Sequence, residues 1–177
     1  MSAERSLAGA AAALRGEFDR GFAAPPREEP RALEKLLLVR VGAEPYALRL
    51  SEAAALHAGH PVSALPSPVP SLLGVAGFRG RIALVYDLGA LLGYPARAAL
   101  RWLVLARSSD PIAFAFEAFE AQLSVAPDEI VAAPRGERAL AREAVRDKGG
   151  LRPIVQLSLA LEEIRRQASA IRSTKEA

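Results

Sequence analysis

Residues 72–88 read LLGVAGFRGRIALVYDL, in which two apolar runs flank the segment GFRGR at positions 77–81. In the second run, the large residues at positions 82, 84 and 86 alternate with smaller or polar ones, a pattern typical of a strand with one buried face. Gly77 and Gly80 permit positive φ angles, and Gly74 permits a backbone bend or a close approach, so the connection can be tight. The stretch therefore predicts two strands joined by a turn that projects Arg79 outward.

The composition is that of an ordinary globular chain with a modest net charge. The protein has 177 residues, of which 51% are hydrophobic, so it can form one domain or two small subdomains with a real core. Its 23 basic residues are interspersed with 20 acidic ones, which leaves a net charge of +3. The chain has no cysteine, which excludes disulfides and thiolate zinc sites and is compatible with a reducing cytoplasm.

Residues 1–33 differ from the rest and are predicted to form an N-terminal arm, either flexible or with a short amphipathic helix. Apolar residues recur in this arm at helical spacing: Leu7, Ala11, Leu14, Phe18 and Phe22. Pro25 and Pro26 end the pattern. The alanine-rich run near the start is short and lacks a convincing cleavage site, so we expect no secretion signal. No run approaches the roughly 18 apolar residues that span a bilayer, and we expect a cytoplasmic protein.

From residue 36 onward the pattern is one of short strands separated by turns, which indicates an all-β barrel or sandwich. The predicted strands are residues 36–41, 46–50, 100–107, 112–117, 118–125 and 151–157. The proline-rich stretch 60–71 is interpreted as an extended linker. Asp87 is placed to cap a short helix at 88–92, and an apolar stripe from Leu157 predicts a C-terminal helix packed on the body. The charge-dense residues 135–152 are interpreted as a solvated helix or a mobile loop.

Catalytic and metal-binding interpretations lack a suitable set of residues. His57 and His60 are the only histidines; no third ligand is marked beside them by a motif, and they are interpreted as incidental loop residues. The sequence has no Gly-x-Ser-x-Gly element of a hydrolase, and helix capping explains Asp87 more simply than acid or base catalysis. Gly77 and Gly80 lie between strands, without the helix start that aims amides at a phosphate. We therefore expect a non-enzymatic protein-binding module without cofactor or metal.

Two segments resemble a known family. Residues 41–46 read VGAEPY, and residues 74–88 read GVAGFRGRIALVYDL. They are similar to the CheW-like adaptors of bacterial chemosensory systems, in which an apolar strand with glycine, an acidic residue and tyrosine precedes Gly-Val-x-Asn-Leu-Arg-Gly-x-apolar-x-apolar-x-Asp-Leu. A weaker likeness continues to about residue 164, so the resemblance covers most of the chain.

The resemblance implies an all-β fold of two small, intertwined, five-stranded β-barrels with a C-terminal helix. It places the CheW-like domain at residues 34–166, with the end of the C-terminal helix and a tail at 167–177. It also implies a strand at 51–57, where the alanine-rich composition alone favours a helix. We follow the resemblance there, because tertiary context often overrides propensity.

The resemblance further implies partners and the residues that contact them. Proteins of this family hold the cytoplasmic tip of a chemoreceptor, a methyl-accepting chemotaxis protein, near the matching arginine, and the regulatory domain of a CheA-type histidine kinase on one barrel. The implied receptor-binding residues are Phe78, Arg79 and Gly80. The implied kinase-binding residues are Ala53, Ala55, Gly74 and Val75. The resemblance implies a scaffold that also binds other CheW-like proteins and clusters with receptor arrays.

The chain departs from the family pattern at several predicted contact positions. Residues 48–50, LRL, reverse the charge of the usual Ile-Asp-Ile, Gly77 replaces the usual Asn, and Ala53 and Ala55 replace bulkier or acidic residues. Because a few large contacts carry most of an interface, alanine at such positions weakens binding. Three interpretations therefore stay open. The chain is a full adaptor, or a divergent CheW-like protein that binds receptor or another adaptor but couples poorly to the kinase, or a basic nucleic-acid-binding protein, for which steep salt dependence is expected.

Overall fold

The computed structural model describes residues 32–95, 100–133, 139–147 and 149–176, with side chains up to residue 170. Residues 1–31 of the predicted arm lie outside this part of the chain. The strands are β1 (Glu34–Val41), β2 (Glu44–Arg49), β3 (Ala53–Ala58), β4 (Ser63–Ala64), β5 (Leu72–Phe78), β6 (Arg81–Asp87), β7 (Trp102–Ala106), β8 (Ile112–Phe116), β9 (Ala118–Val125), β10 (Ile130–Ala132), β11 (Glu143–Asp147) and β12 (Gly150–Val155). The helices are α1 (Leu88–Leu91) and α2 (Leu157–Glu176), and one-turn 3-10 helices lie at Leu50–Glu52 and Pro127–Glu129.

The strands form two sheets. The first has the order β10-β11-β12-β2-β1-β9, and the second has the order β3-β7-β8-β6-β5-β4. The pairs β12–β2 and β6–β8 are parallel, and the other neighbouring pairs are antiparallel. The first sheet takes its strands from both ends of the described chain and the second from the middle, so the sheets are intertwined. The predicted all-β class with a C-terminal helix is confirmed, and the short edge strands β10 and β4 bring each sheet to six strands.

One apolar core lies between the two sheets. Strand β8, with the sequence IAFAF, shows how alternation builds it. Phe114 and Phe116 are fully buried in this shared core, whereas Ala113 and Ala115 belong to a cluster on the other face of the second sheet. From the first sheet, Val39 is fully buried in the same core. Burying a side chain of this kind contributes about 1.5–3 kcal/mol, so the shared core is a main source of stability.

Each sheet also has a second apolar face. The cluster on the first sheet comprises Leu36, Leu38, Ala47, Val125, Val145 and Ile154. The cluster on the second sheet comprises Ala76, Phe78, Ala83, Val85, Leu103, Ala113 and Ala115. Because the central strands are covered on both faces, they read as nearly continuous apolar runs such as LLLV in β1.

Helix α2 covers one side of the shared core with Leu157, Leu161 and Ile164, as its apolar stripe predicted. Glu52, from the 3-10 turn after β2, holds the first turn of this helix. Its carboxylate accepts hydrogen bonds from the backbone N–H groups of Leu157 at 2.9 Å and Ser158 at 3.2 Å. These contacts satisfy amides that a helix start leaves unpaired, and the negative charge complements the helix dipole.

The charge-dense stretch 135–152 differs from its prediction. Where a solvated helix or loop was expected, the structure has strand β11 and the start of β12. Val145 is fully buried, Glu143 pairs with Arg49, and Asp147 pairs with Arg152. Glu143 and Asp147 therefore bind arginines of β2 and β12, which charge density alone does not reveal. Residues 135–138 and 148 of this stretch lie outside the described residues. In the described residues, no helix has the length and apolar character needed to cross a membrane.

Candidate partner-binding site

The turn between β5 and β6 contains only two residues. Phe78 pairs with Arg81, which leaves Arg79 and Gly80 in the turn, with φ angles of 47° and 80°. Positive φ at both central residues is the mark of a type I′ hairpin turn, which favours asparagine and glycine. Arg79 thus has a left-handed conformation that costs an L-residue about 1–2 kcal/mol. An arginine kept in such a conformation is a candidate functional residue.

The residues around this turn differ in their exposure. Arg79, Gly80 and Arg81 are exposed, so the guanidinium of Arg79 is accessible. Phe78 is 6% exposed and packs in the apolar cluster of the second sheet. Gly77, whose residue type permits a positive φ angle, lies within β5 without one, because the strand extends to Phe78. Phe78 therefore supports the turn from inside and offers little surface to a partner.

The face of the hairpin that carries Tyr86 into the shared core is apolar and partly uncovered near the turn. The cross-strand pairs Gly77–Ile82 and Val75–Leu84 share this face. Ile82 is 70% exposed and Leu84 is 37% exposed, whereas Ala83, on the opposite face, is buried. The alternation predicted for β6 is present, but near the turn the large residues face outward. Gly77 contributes to this exposure because it has no side chain to cover Ile82.

The uncovered face of β6 forms one wall of a groove, and helix α2 forms the other. The groove has a volume of about 610 Å³, and its apolar lining comprises Ile82, Leu84, Tyr86, Pro111, Ile112, Ile164 and Ala168. At its rim, Arg165 of α2 pairs with Asp110 at 3.2 Å. Exposed apolar surface with a polar rim is typical of a protein interaction site. Sequence reasoning missed this groove because it needs the position of α2 on the second sheet.

Two histidines contact the base of the arginine turn. The ring of His60 stacks on Phe78 with centroids 4.5 Å apart, and the ring of His57 lies 4.9 Å from the same ring. His60 Nε2 donates a hydrogen bond to the carbonyl oxygen of Gly77 at 2.8 Å. Burial, followed by repulsion from His60 and Arg79, lowers the pKa of His57. Both histidines were interpreted as incidental loop residues, but they belong to the support of the turn.

The four residues assigned to the kinase by resemblance have different surroundings. Ala53 is 6% exposed and belongs to the shared core, whereas Ala55, also on the edge strand β3, is half-buried. Gly74 is buried under β4, and a Cβ there would collide with the carbonyl oxygen of Ser63. Val75 is half-buried and pairs with Leu84, which lines the groove. Of the four, Ala55 and Val75 therefore have surface to offer a partner.

Asp87 has the geometry of a helix cap. It is 3% exposed, and its Oδ1 accepts hydrogen bonds from the N–H groups of Gly89 at 2.8 Å and Ala90 at 3.2 Å. Burial raises the pKa of Asp87, the two amides oppose this shift, and the nearby Glu117 adds to it. Within the described ranges, no group of three or more histidine or carboxylate side chains is arranged to hold a metal ion.

Two intertwined β-sheets, with an exposed arginine turn beside an apolar groove, define a small all-β domain. The chain belongs to the CheW-like domain family, whose model matches residues 35–165. The resemblance seen at residues 41–46 and 74–88 is thereby confirmed.

The fold is similar to that of a solved bacterial protein. This protein is the scaffolding protein TtCheW from Thermoanaerobacter tengcongensis, with a TM-score of 0.62 and 15% sequence identity. The match covers 70% of this chain and 88% of that one. At this identity the likeness shows the fold. A comparison with curated proteins finds no match.

Proposed function

We propose that this chain is a non-enzymatic adaptor of a bacterial chemosensory system, which links the cytoplasmic tip of a chemoreceptor to a CheA-type histidine kinase. Membership in the CheW-like family and a fold similar to a CheW scaffold support this role. The observation that carries it is Arg79, an exposed arginine with a left-handed backbone in a two-residue turn. Because asparagine or glycine fits such a turn at lower free energy, the arginine is best explained by its side chain.

The proposed receptor site is the arginine turn together with the groove beside it. The guanidinium of Arg79 can donate several hydrogen bonds in a fixed fork, to a carboxylate or to carbonyl groups at a helix end. Ile82 and Leu84 add exposed apolar area of the kind found at the centre of an interface. Phe78 and Gly80 belong to this site as residues that shape the turn, the first by packing and the second through its φ of 80°.

The proposed kinase site lies on the second sheet. Ala55 and Val75 are its contacts, with Ala53 and Gly74 packed beneath the surface. Alanine at position 55 offers little bulk to a partner, so we expect weaker kinase binding than for a family member with a larger residue there. This position favours the second candidate function, a divergent adaptor that binds receptor or another CheW-like protein but couples poorly to the kinase.

Titration with a purified chemoreceptor cytoplasmic hairpin tests the receptor site. We expect Arg79→Ala to weaken binding by about tenfold or more, the effect of losing a central arginine. Arg79→Lys should recover only part of this affinity, because lysine keeps the charge but not the fork. Arg146→Ala is the matched control, since it removes an exposed arginine from β11 of the first sheet. Receptor binding that is indifferent to Arg79→Ala would eliminate the turn as the receptor site.

Titration with the purified regulatory domain of the kinase separates the two adaptor hypotheses. Tight binding by the wild-type chain would establish the full adaptor. Weak binding that Ala55→Ile strengthens would support the divergent one, because the larger side chain restores contact area. Ala53 is left unchanged in this design, since a larger residue there would overpack the shared core.

A further inference from the structure

Ring contacts bring the two ends of the second sheet together. Strand β3 forms one edge of this sheet, and β5 lies next to the short edge strand β4 at the other end. His57 on β3 contacts Phe78 on β5, with ring centroids 4.9 Å apart, and His60 stacks on Phe78 at 4.5 Å and 12°. These three residues form what we term the histidine seam.

The histidine seam is attached directly to the arginine turn. Phe78 precedes Arg79 in the chain, and the carbonyl oxygen of Gly77 accepts a hydrogen bond from His60 Nε2 at 2.8 Å. Because a carbonyl only accepts, Nε2 of His60 carries a hydrogen. Stacking and this hydrogen bond fix the last two residues of β5. A strained turn conformation persists only where the surrounding structure holds it, and the seam provides such a hold.

The charges around His57 are of one sign. Its basic neighbours His60 and Arg79 disfavour the protonated ring, and burial acts in the same direction, so the pKa of His57 is lowered. Beside the other two members of the seam, Arg101 lines a cavity with His60, and both Arg81 and Asp110 line a cavity with Phe78. Among the described residues, no carboxylate contributes to the shift of His57. A proton on His57 would therefore add a positive charge beside the basic groups of His60 and Arg79.

We propose that the histidine seam positions the arginine turn for receptor binding and releases it when acidification protonates His57. The inference rests on the proposed function, because the Arg79 contact with the receptor is what the seam regulates. His57 and His60 are positioning residues in this account, acting through Phe78 and Gly77. In its neutral form the seam stacks and holds the turn; in its charged form it repels Arg79.

The seam is tested first without any partner. The chain has two histidines, so NMR titration of their ring protons, assigned with His57→Phe and His60→Phe, resolves both. We expect His57 to titrate below its ordinary pKa of 6.5. Hydrogen-exchange protection of the Phe78 and Arg81 amides, corrected for intrinsic rates, should fall as His57 is protonated. The fall should be about tenfold for each unit by which the pKa of His57 is lower in the closed turn than in the open turn.

Two controls isolate the effect of His57. His57→Phe keeps a ring in the seam without a titrating group, so protection at the turn should become independent of pH. The β1–β2 hairpin is an internal control, because its turn residues Gly42 and Ala43 also have positive φ, at 63° and 71°. The ring contacts of both histidines are with each other and with Phe78, at the other hairpin. Turn protection that stays constant through the His57 titration, or that still falls in His57→Phe, would overturn the proposal.

Binding of the chemoreceptor hairpin at a series of pH values completes the test. Wild-type affinity should fall through the His57 titration by the same factor as turn protection, and His57→Phe should bind equally well across the range. Binding that depends on Arg79 but not on pH would overturn the role of the seam alone. Absence of receptor binding at every pH would overturn the proposed function, and the exchange data would still report whether the seam holds the turn.

Discussion

At the scale of single residues, Arg79 combines an energetically unfavourable backbone conformation with an accessible side chain. Its φ of 47° lies in the left-handed region, where asparagine and glycine are the preferred residues of a two-residue hairpin turn. A turn selected for stability alone would have Asn-Gly at positions 79 and 80. The arginine lowers the stability of the hairpin, and the proposed receptor contact explains why a destabilising residue is present at this position.

Arg79→Asn separates stability from binding. Because asparagine adopts positive φ readily, we expect the free energy of unfolding to rise by about 1 kcal/mol. Receptor affinity should fall in the same variant, since the guanidinium is lost. Urea denaturation and hairpin titration measure the two effects. Arg146→Asn, on an exposed strand position, should change neither by more than about 0.5 kcal/mol. A destabilised Arg79→Asn would contradict the claim that the turn is strained by its arginine.

The sequence identified the exposed arginine but not the residues that hold it. Spacing within residues 72–88 defines a hairpin locally, so the outward position of Arg79 follows from it. The contact between His57 and Phe78 depends on the curvature of a six-stranded sheet, which joins residues far apart in the chain. His60 lies in a loop, where no periodic pattern indicates its orientation. Phe78 therefore looked like a surface aromatic beside an arginine, although it is buried.

At the scale of elements, charged side chains link different strands of the first sheet to one another and link the β2–β3 turn to α2. Glu52 caps α2 from the turn between β2 and β3. Arg152 of β12 pairs with Glu120 of β9 and with Asp147 of β11, each at 2.7 Å. Arg49 of β2 pairs with Glu143 of β11 at 2.8 Å. These contacts hold the first sheet and the helix in register, and the helix in turn forms a wall of the groove.

Glu52→Ala should weaken the attachment of α2. It removes acceptors from the amides of Leu157 and Ser158, and loss of a helix cap costs about 1–2 kcal/mol. Glu52→Gln, which keeps one acceptor and loses the charge, should cost less. The free energy of unfolding in urea is the measurement. Glu162→Ala, at an exposed site on α2, is the control and should be near neutral. Equal effects of Glu52→Ala and Glu162→Ala would argue against the capping role.

Strands were predicted correctly where the apolar pattern and the turn residues indicate the same boundaries. Strand β11 was not predicted, because its charged residues suggested a solvated segment. In β11, Glu143, Arg146 and Asp147 surround the buried pair Ala144 and Val145, and the run is too short and too charged to show alternation clearly. The partners that make those charges favourable lie on other strands. Strand β3 shows the converse, because its alanine-rich sequence favours a helix and only the family resemblance indicated a strand.

At the scale of the whole molecule, the first sheet joins the two ends of the described chain. Strand β12 pairs in parallel with β2, with Ile154 opposite Ala47 and Val155 opposite Leu48. The buried core residues of the described chain run from Leu36 to Ile164. This range agrees with the predicted domain at residues 34–166, which stays a prediction until its boundaries are tested by truncation.

Removal of residues 1–30 should leave the domain folded. Strand β1 begins at Glu34 and pairs with β2 and β9, so its hydrogen-bonding partners come from later in the chain. We expect the free energy of unfolding of the truncated chain to match that of the full chain within about 0.5 kcal/mol. The opposite truncation, after Gln156, should give insoluble protein because it uncovers the shared core beside Leu161 and Ile164. An N-terminal truncation that fails to fold would make the arm part of the core.

The two sheets should respond to acid in different pH ranges. The pKa of His57 is below its ordinary 6.5, so the unfolded chain binds this proton first, and the second sheet loses stability as the pH falls below about 6.5. Burial opposes ionisation of Glu143, but hydrogen bonds from Arg49 and Gln156 outweigh it and lower its pKa. The stability that Glu143 gives the first sheet is therefore present above its ordinary pKa of 4.5 and lost as the pH falls below that value.

Asp87 acts in the opposite direction and sharpens the test. Its pKa is raised above the ordinary 3.8, so the native state binds the proton first, and acidification adds stability between the two values. The free energy of unfolding in urea, measured from about pH 8 to about pH 3, should thus fall in two steps. Protonation of Asp87 should make the second fall smaller. His57→Phe should remove the first step. Glu143→Gln should reduce the second, to which Glu163 also contributes because hydrogen bonds from Arg166 and Gln167 lower its pKa. A single step that both variants alter equally would mean that the sheets share one acid-sensitive network, because independent sites contribute separately to stability.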